Sequence, residues 1–285
     1  MNKTKIEWTD YTWNPVTGCW GPGGTPEKPN LCSYCYAQRI AQRFFVHFLG
    51  DDCTQPRAAN HPFCAAHEIR YKKSGGAWRY GFAPTYHPYR LNEPYRIKKP
   101  ARIFTCSMGD LFGDWVLDHW IEYVLQTARD CPHHIFQFLT KNPKRLKEFN
   151  PWPQNCWVGT TVTNQADADE RLQWLLKVDA SVRIVSHEPL LGAIDLGKVQ
   201  FPDNYFKQAG ILGVLPDKKE PDDYIYFTKQ SGIQWAIIGA MTGPGAILPE
   251  VDWVMNLAEQ YHAAGVPIFL KDNLGFKDQP QEYPA

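Results

Sequence analysis

From residue 101 onward, short apolar runs alternate with stretches in which apolar residues recur every three or four positions. Those are the two periods of buried strands and amphipathic helices. Residues 101–107, 135–140, 156–162, 182–186, 233–239 and 267–271 read as strands, each nearly continuous in apolar side chains. Between them, Leu117, Trp120, Ile121, Val124, Leu125 and Ala128 share one helical face, as do Ala168, Leu172, Leu175 and Leu176, and then Val254, Leu257, Ala258 and Tyr261. Asn142-Pro143 supplies a cap and first-turn proline for a shorter helix carrying Leu146 and Phe149, and Thr163 or Asn164 caps the helix after it. Gly265 and Pro267 stop the last one. Ahead of this region, the aromatic, β-prone residues 6–18 predict a short first strand delivering Cys19. Ala37, Ile40, Ala41, Phe44 and Phe48 then predict a helix after Cys35.

Six or seven apolar strands alternating with helices imply a parallel sheet covered on both faces. The expected fold class is α/β, a parallel β/α partial barrel of the TIM type, with a doubly wound open sheet as the structural alternative. Two stretches break the beat. Residues 50–100 are dominated by Pro, Gly, His and Tyr, and residues 192–232 by Pro, Asp and Lys. Both are expected to be insertions in a single domain spanning 1–285. The tail from Gly275 carries no pattern and is expected to be loose.

Either architecture binds ligands at the C-terminal ends of its strands. Most of the strands place polar groups there: Cys19, Ser107 and Asp110, Thr140 and Lys141, Thr163 and Asn164, His187 and Glu188, Thr242, and Lys271. Strand ends and helix caps are polar in any case, so the convergence on one rim carries the argument rather than any single residue.

Composition narrows the classes. The chain is 44% apolar and 14% aromatic, enough for a sizeable core. Its 30 basic and 30 acidic residues cancel, so bulk charge points to neither nucleic acid nor an anionic membrane, and only a local basic groove would suit nucleic acid. The N-terminus has no apolar h-region and no run reaches the length of a spanning helix. A cytoplasmic protein with no membrane partner is expected. In that compartment eight cysteines point to metal or catalysis more than to disulfides. Cys53, His61, Cys64 and His67 are of the types that bind zinc, but their spacing matches no zinc pattern, and free thiols with surface histidines are the plainer reading.

The sharpest cysteine signal lies earlier. Cys19, Cys32 and Cys35 form C-x12-C-x2-C across a Gly/Pro-rich loop that opens a helix. A 4Fe-4S cluster usually takes four cysteines, so three thiolates leave one iron open to a small chelating molecule. The competing reading is a closed structural site, zinc or iron-sulfur, with a fourth protein ligand, for which Cys106 is the first candidate.

A first strand, a cysteine loop ending in C-x-x-C and a succession of βα units resembles the radical S-adenosylmethionine enzymes, with Cys32-Ser33-Tyr34-Cys35-Tyr36-Ala37 standing where their cluster loop ends. More closely, the chain resembles the phage-encoded three-cysteine-motif proteins. The stretches that carry this are 6–10, 13–19, 35–37, 107–112, 139–143, 188–192 and 263–267. One departure stands out: the usual spacing of the radical enzymes is C-x3-C-x2-C, and the first loop here is longer. The resemblance implies a 4Fe-4S cluster on Cys19, Cys32 and Cys35, with S-adenosyl-L-methionine as cosubstrate. It also implies an electron donor such as flavodoxin or ferredoxin and a bacterial or phage-infected host. Tyr34 would contact adenine, Ser107 and Asp110 the methionine amine or ribose, and Lys271 or Lys141 a carboxylate or anionic substrate. Glu188 and Lys141 would face the substrate, which the sequence does not name and which could be a nucleobase or nucleic acid. The alternative class is a non-enzymatic metal protein whose rim recognises a protein partner.

Overall fold

Strands that are apolar on both faces need cover on both sides, and helices packed against parallel strands supply it. The computed structural model describes residues 1–44, 81–199 and 232–284. The chain divides into two compact units, Met1–Thr140 and Lys141–Ala285.

In the first unit the described elements are β1 (Asn2–Lys3), β2 (Tyr11–Trp13), β3 (Val16–Thr17), α1 (Tyr36–Phe44), β4 (Thr85–Tyr86), β5 (Arg102–Thr105), α2 (Asp118–Asp130) and β6 (Ile135–Thr140). The sheet order is β1-β2-β5-β6. β1 is antiparallel to β2, whereas β2, β5 and β6 run parallel, with Thr12 opposite Phe104 and Phe104 opposite Gln137. The expected first strand is split, because Asn14-Pro15 interrupts it and proline has no N–H to give a ladder. β3 turns away and pairs with β4 instead. On α2 the expected face is buried: Trp120, Ile121, Val124, Leu125 and Ala128. Leu117 precedes the helix at its N-cap. Of the stripe predicted for α1, Ala37 and Ala41 are buried and Ile40 is half-buried.

The second unit contains β7 (Cys156–Thr161), α3 (Gln165–Leu175), β8 (Val182–His187), β9 (Trp235–Ile238), α4 (Val251–Ala263) and β10 (Ile268–Leu270). The strands lie in that order and are all parallel. Every residue of the four strands is buried, which is why their sequences show no alternation. Gly159 sits where a Cβ would come within 2.3 Å of the Ile184 carbonyl oxygen, so β7 and β8 approach too closely there for any side chain. Asn164 is the cap of α3, accepting a hydrogen bond from the Asp167 N–H at 3.0 Å. The short helix expected after Asn142 is a 3-10 helix, Pro143–Phe149, with no side-chain cap bond from Asn142.

The tail differs from expectation. Leu270 N–H donates to Pro280 O and Glu282 N–H to Ile268 O, at 2.9 Å each, and Trp235 Nε1 donates to Glu282 O at 2.9 Å. Tyr283 packs on Trp235 and Phe269. An outer strand presents a row of unpaired N–H and C=O groups, and residues 280–283 cover that row on β10.

Together the units make a mixed α/β protein whose sheet strands are mostly parallel. Of the expected insertions, residues 50–80 and 200–231 lie outside the described residues, and with them Cys53, His61, Cys64 and His67. No helix among the described residues is long and apolar enough to cross a membrane.

Candidate metal centre and strand-end rim

The cysteine loop is built on the segment that follows β5. Gly18, at φ +82°, donates its N–H to Met108 O at 2.8 Å and forms a parallel bridge with Gly109. A Cβ on Gly109 would come within 2.7 Å of Gly18 O, so the close approach requires glycine. Cys19 N–H donates to Phe82 O at 3.0 Å. At the other end of the loop, Cys35 N–H donates to Cys32 O at 3.0 Å in the turn that opens α1. Tyr36 then donates its hydroxyl to the Ser107 carbonyl. Both ends of the loop are thereby tied to 107–109.

Between those ends the loop closes on itself. Asn30 N–H donates to Trp20 O at 2.7 Å and Asn30 Nδ2 to Pro22 O at 2.8 Å. Gly21 has φ +80°, and a Cβ there would fall 1.7 Å from Asn30 O. Trp20 is buried, with its ring 5.6 Å from that of Trp115. Residues 21–29 therefore leave and return through a hydrogen-bonded neck. Across the neck, only Trp20, Asn30 and Leu31 separate Cys19 from Cys32.

The three thiols are half-buried. Gly21 N–H points at Cys19 Sγ at 3.1 Å and Gln38 N–H at Cys35 Sγ at 3.4 Å. N–H donors at sulfur suit a thiolate ligand, and Cys35 stands at the N-terminus of α1, where negative charge is favoured. This donor chemistry fits a thiolate-held cluster. The three sulfurs are nevertheless not drawn into a closed site: among the described residues no group of three or more His, Cys, Asp or Glu is arranged to hold a metal ion. Cys106 does not join them. It is buried at φ +60°, and desolvation pushes its thiol up to about 12, so it is held protonated. No disulfide joins the six described cysteines.

The rim residues of the first unit are held by two sets of hydrogen bonds. Asn14, just past β2, accepts from Ser107 Oγ at 3.2 Å and from Met108 N–H at 2.9 Å through Oδ1. Asp110 Oδ1 accepts from Thr140 Oγ1 at 2.7 Å and Phe112 N–H at 3.0 Å. Ser107 and Asp110 are thus joined to the ends of β2 and β6. Tyr34 is half-buried, and its carbonyl accepts from Arg39 Nη2 at 3.3 Å.

In the second unit Glu188 and Lys271 form an ion pair at the ends of β8 and β10. Lys271 is almost fully buried and Glu188 is half-buried. The lysine stem crosses Gly239, where a Cβ would come within 2.8 Å of Lys271 Cδ. Asn273 clamps Ala240 through both amide atoms, accepting its N–H at 3.1 Å and donating to its carbonyl at 2.9 Å. Lys141 is half-buried just before the 3-10 helix. Thr163 donates through N–H and Oγ1 to Asp167 Oδ2, at 2.9 and 2.6 Å, and Asp167 also pairs with Arg171 at 2.6 Å. These groups fix the start of α3. His187 is fully buried between Val162 and Tyr261, and Thr242 is exposed.

Asn14, Tyr36 and Asn273 were not singled out by the sequence. Asn14 ends a strand before a proline, a signal of the same kind as the other rim residues. Tyr36 follows the last cysteine, but its hydroxyl contact depends on how α1 docks.

Fold and site define an α/β protein of mostly parallel strands, with a thiol-bearing loop seated on the segment after β5. Over residues 3–282 the chain matches the model of the family described as "Protein of unknown function (DUF5131)", and it belongs to that family. No curated protein and no solved structure matches it.

Proposed function

We propose that the chain is a radical S-adenosylmethionine enzyme, with Cys19, Cys32 and Cys35 as the thiolates that would hold a 4Fe-4S cluster, and that its finer architecture is a partial β/α barrel. The observation that carries this reading is the neck between Trp20 and Asn30. It sets aside residues 21–29 and leaves three residues between the first two thiols and two between the last pair, which is the spacing of the radical enzymes the sequence resembles. When bound, cluster and cosubstrate supply one-electron cleavage of the sulfonium C–S bond, giving methionine and, once a substrate hydrogen is taken, 5′-deoxyadenosine.

The chain's own residues would do the positioning. Tyr36 and Gly18 hold the loop against 107–109, and Tyr34, between the last two thiols, offers a ring to adenine. Ser107 and Asp110, already tied to Asn14 and Thr140, present fixed oxygens to the amine or ribose. Glu188 neutralises Lys271, so an anionic ligand would bind Lys271 by displacing Glu188, leaving that carboxylate available to substrate; Lys141 is the second cation in this role. Substrate, and an external one-electron donor such as flavodoxin or ferredoxin, complete the reaction. The non-enzymatic alternative needs a fourth protein ligand, and among the described residues Cys106 is not grouped with the three cysteines to hold a metal.

The test is anaerobic reconstitution with iron and sulfide, followed by reductant and S-adenosylmethionine, reading 5′-deoxyadenosine by mass spectrometry. Its appearance in the native chain and absence in Cys35→Ala supports the proposal. Zinc bound at the three cysteines, with no iron-sulfur chromophore after reconstitution, would overturn it.

A further inference from the structure

Ammonium groups repel one another, yet three of them gather on one indole in the second unit. Trp174, near the end of α3, is half-buried. The Nζ atoms of Lys144, Lys147 and Lys177 stand 5.6, 5.3 and 4.9 Å from its ring centroid. Lys144 and Lys147 lie three apart on the 3-10 helix, the spacing at which side chains of such a helix eclipse. That helix packs on α3, and all three lysines are exposed.

Three carboxylates on the two helices have arginine partners. Glu148 lies 4.0 Å from Arg145, and Asp167 and Glu170 lie 2.6 and 3.8 Å from Arg171. Among the described residues, Lys144 and Lys147 make no ion pair; their contact is the indole. Between Lys141 and Glu148 the chain carries four basic side chains and one acidic one, inside a sequence of zero net charge. The excess is local, and two of its four cations lie over an aromatic face.

We propose that this surface binds single-stranded nucleic acid, with a base stacked at Trp174 and the flanking phosphates on Lys144, Lys147 and Lys177. A positive track beside an aromatic platform is the combination that single strands use, because every base has a π-face and every linkage a charge. A duplex keeps its base faces stacked away, and the carboxylates of an acidic peptide bring no ring of their own to the indole, whereas each nucleotide brings a base and a phosphate together. A base taking the ring face moves the ammonium there onto the next phosphate, so the cation–π contacts of the unbound surface are exchanged rather than lost. The inference uses none of the cysteines and stands apart from the reading of the cluster.

The experiment is fluorescence anisotropy of a labelled oligothymidylate of about twelve nucleotides, within the range a single-strand surface spans, titrated with the full chain at several salt concentrations. Three phosphate contacts predict a log K against log salt slope of about −2. Lys144→Gln, Lys147→Gln and Lys177→Gln combined should flatten the slope and weaken binding at least about tenfold at low salt. Trp174→Leu, checked for unchanged circular dichroism, should weaken binding of the oligonucleotide about tenfold and leave inorganic polyphosphate unaffected. No binding by the native chain at low salt, or binding indifferent to the triple substitution, would overturn the proposal. Equal losses for polyphosphate and oligonucleotide in Trp174→Leu would overturn it too, by showing a general polyanion surface.

Discussion

His187 shows how much a single side chain is fixed by its surroundings. Its Nδ1 lies 2.8 Å from Val162 O, which can only accept, so Nδ1 carries the proton; Nε2, 2.8 Å from the Tyr261 hydroxyl, then accepts. Burial pushes the imidazole down to about 4. Tyr261→Phe should leave a buried nitrogen unsatisfied and cost about 1–3 kcal/mol in urea denaturation, since stranding one partner is dearer than losing both. His87, buried with its ring nitrogen 2.8 Å from Thr17 Oγ1, is pushed down to about 3 by desolvation, with Arg90 nearby adding to the shift. Both histidines are neutral when folded and accept a proton near 6.5 when unfolded. Their contribution is therefore complete above pH 6.5 and is lost as pH falls toward their folded values. Between pH 6.5 and 5, before most carboxylates titrate, stability should drop by up to about 1.4 kcal/mol per pH unit for each. Denaturation curves at pH 7.5, 6 and 5 check the slope, and a flat profile would contradict the neutral assignment. The sequence marked His187 as a strand-end residue but could not show that its ring enters the core rather than the rim.

At the scale of elements, the neck of the cysteine loop and the C-terminal tail each depend on backbone contacts that no periodicity encodes. Gly21→Ala would put a methyl group on Asn30 O and hold an L residue at a positive φ. It should open the neck and cost roughly 1–2 kcal/mol in overall stability; on the proposed cluster reading it should also cut the iron retained after reconstitution several-fold. Iron per chain and a thermal melt together separate a local opening from unfolding. Truncation after Gln279 removes the bonds from Leu270 to Pro280, Glu282 to Ile268 and Trp235 to Glu282, and uncovers Trp235 and Phe269. With each net bond worth about 1 kcal/mol and the Tyr283 ring lost as well, about 2–5 kcal/mol should go. Hydrogen exchange should accelerate at the amides of Ile268 and Leu270, the first of which donates to the Glu282 carboxylate. The helices were the legible elements. Buried faces on α2 and α4 fall on the expected residues because an amphipathic helix writes its buried side into its own sequence.

At the scale of the whole molecule, eight cysteines invite a disulfide framework, yet the six described ones form none. Titration of the denatured chain with a thiol reagent, without reductant, should therefore find at least six free thiols. A count below six would contradict the free state of these cysteines. Net charge is similarly uninformative taken as a sum. Zero overall, the chain still gathers three lysines at Trp174, a cluster that only the packing of two helices brings together. By itself, the sequence determined the alternation of parallel strands and helices, the faces the helices bury, and the strand ends where polar groups collect, because hydrophobic period and capping are local properties. The tertiary structure decided what depends on contacts distant along the chain. It paired β3 with β4, drew the tail across β10, paired Glu188 with Lys271, and closed the loop between Trp20 and Asn30. Pairing of backbone and charge across such separations is set by which groups folding leaves facing each other, and no pattern of neighbouring residues records it.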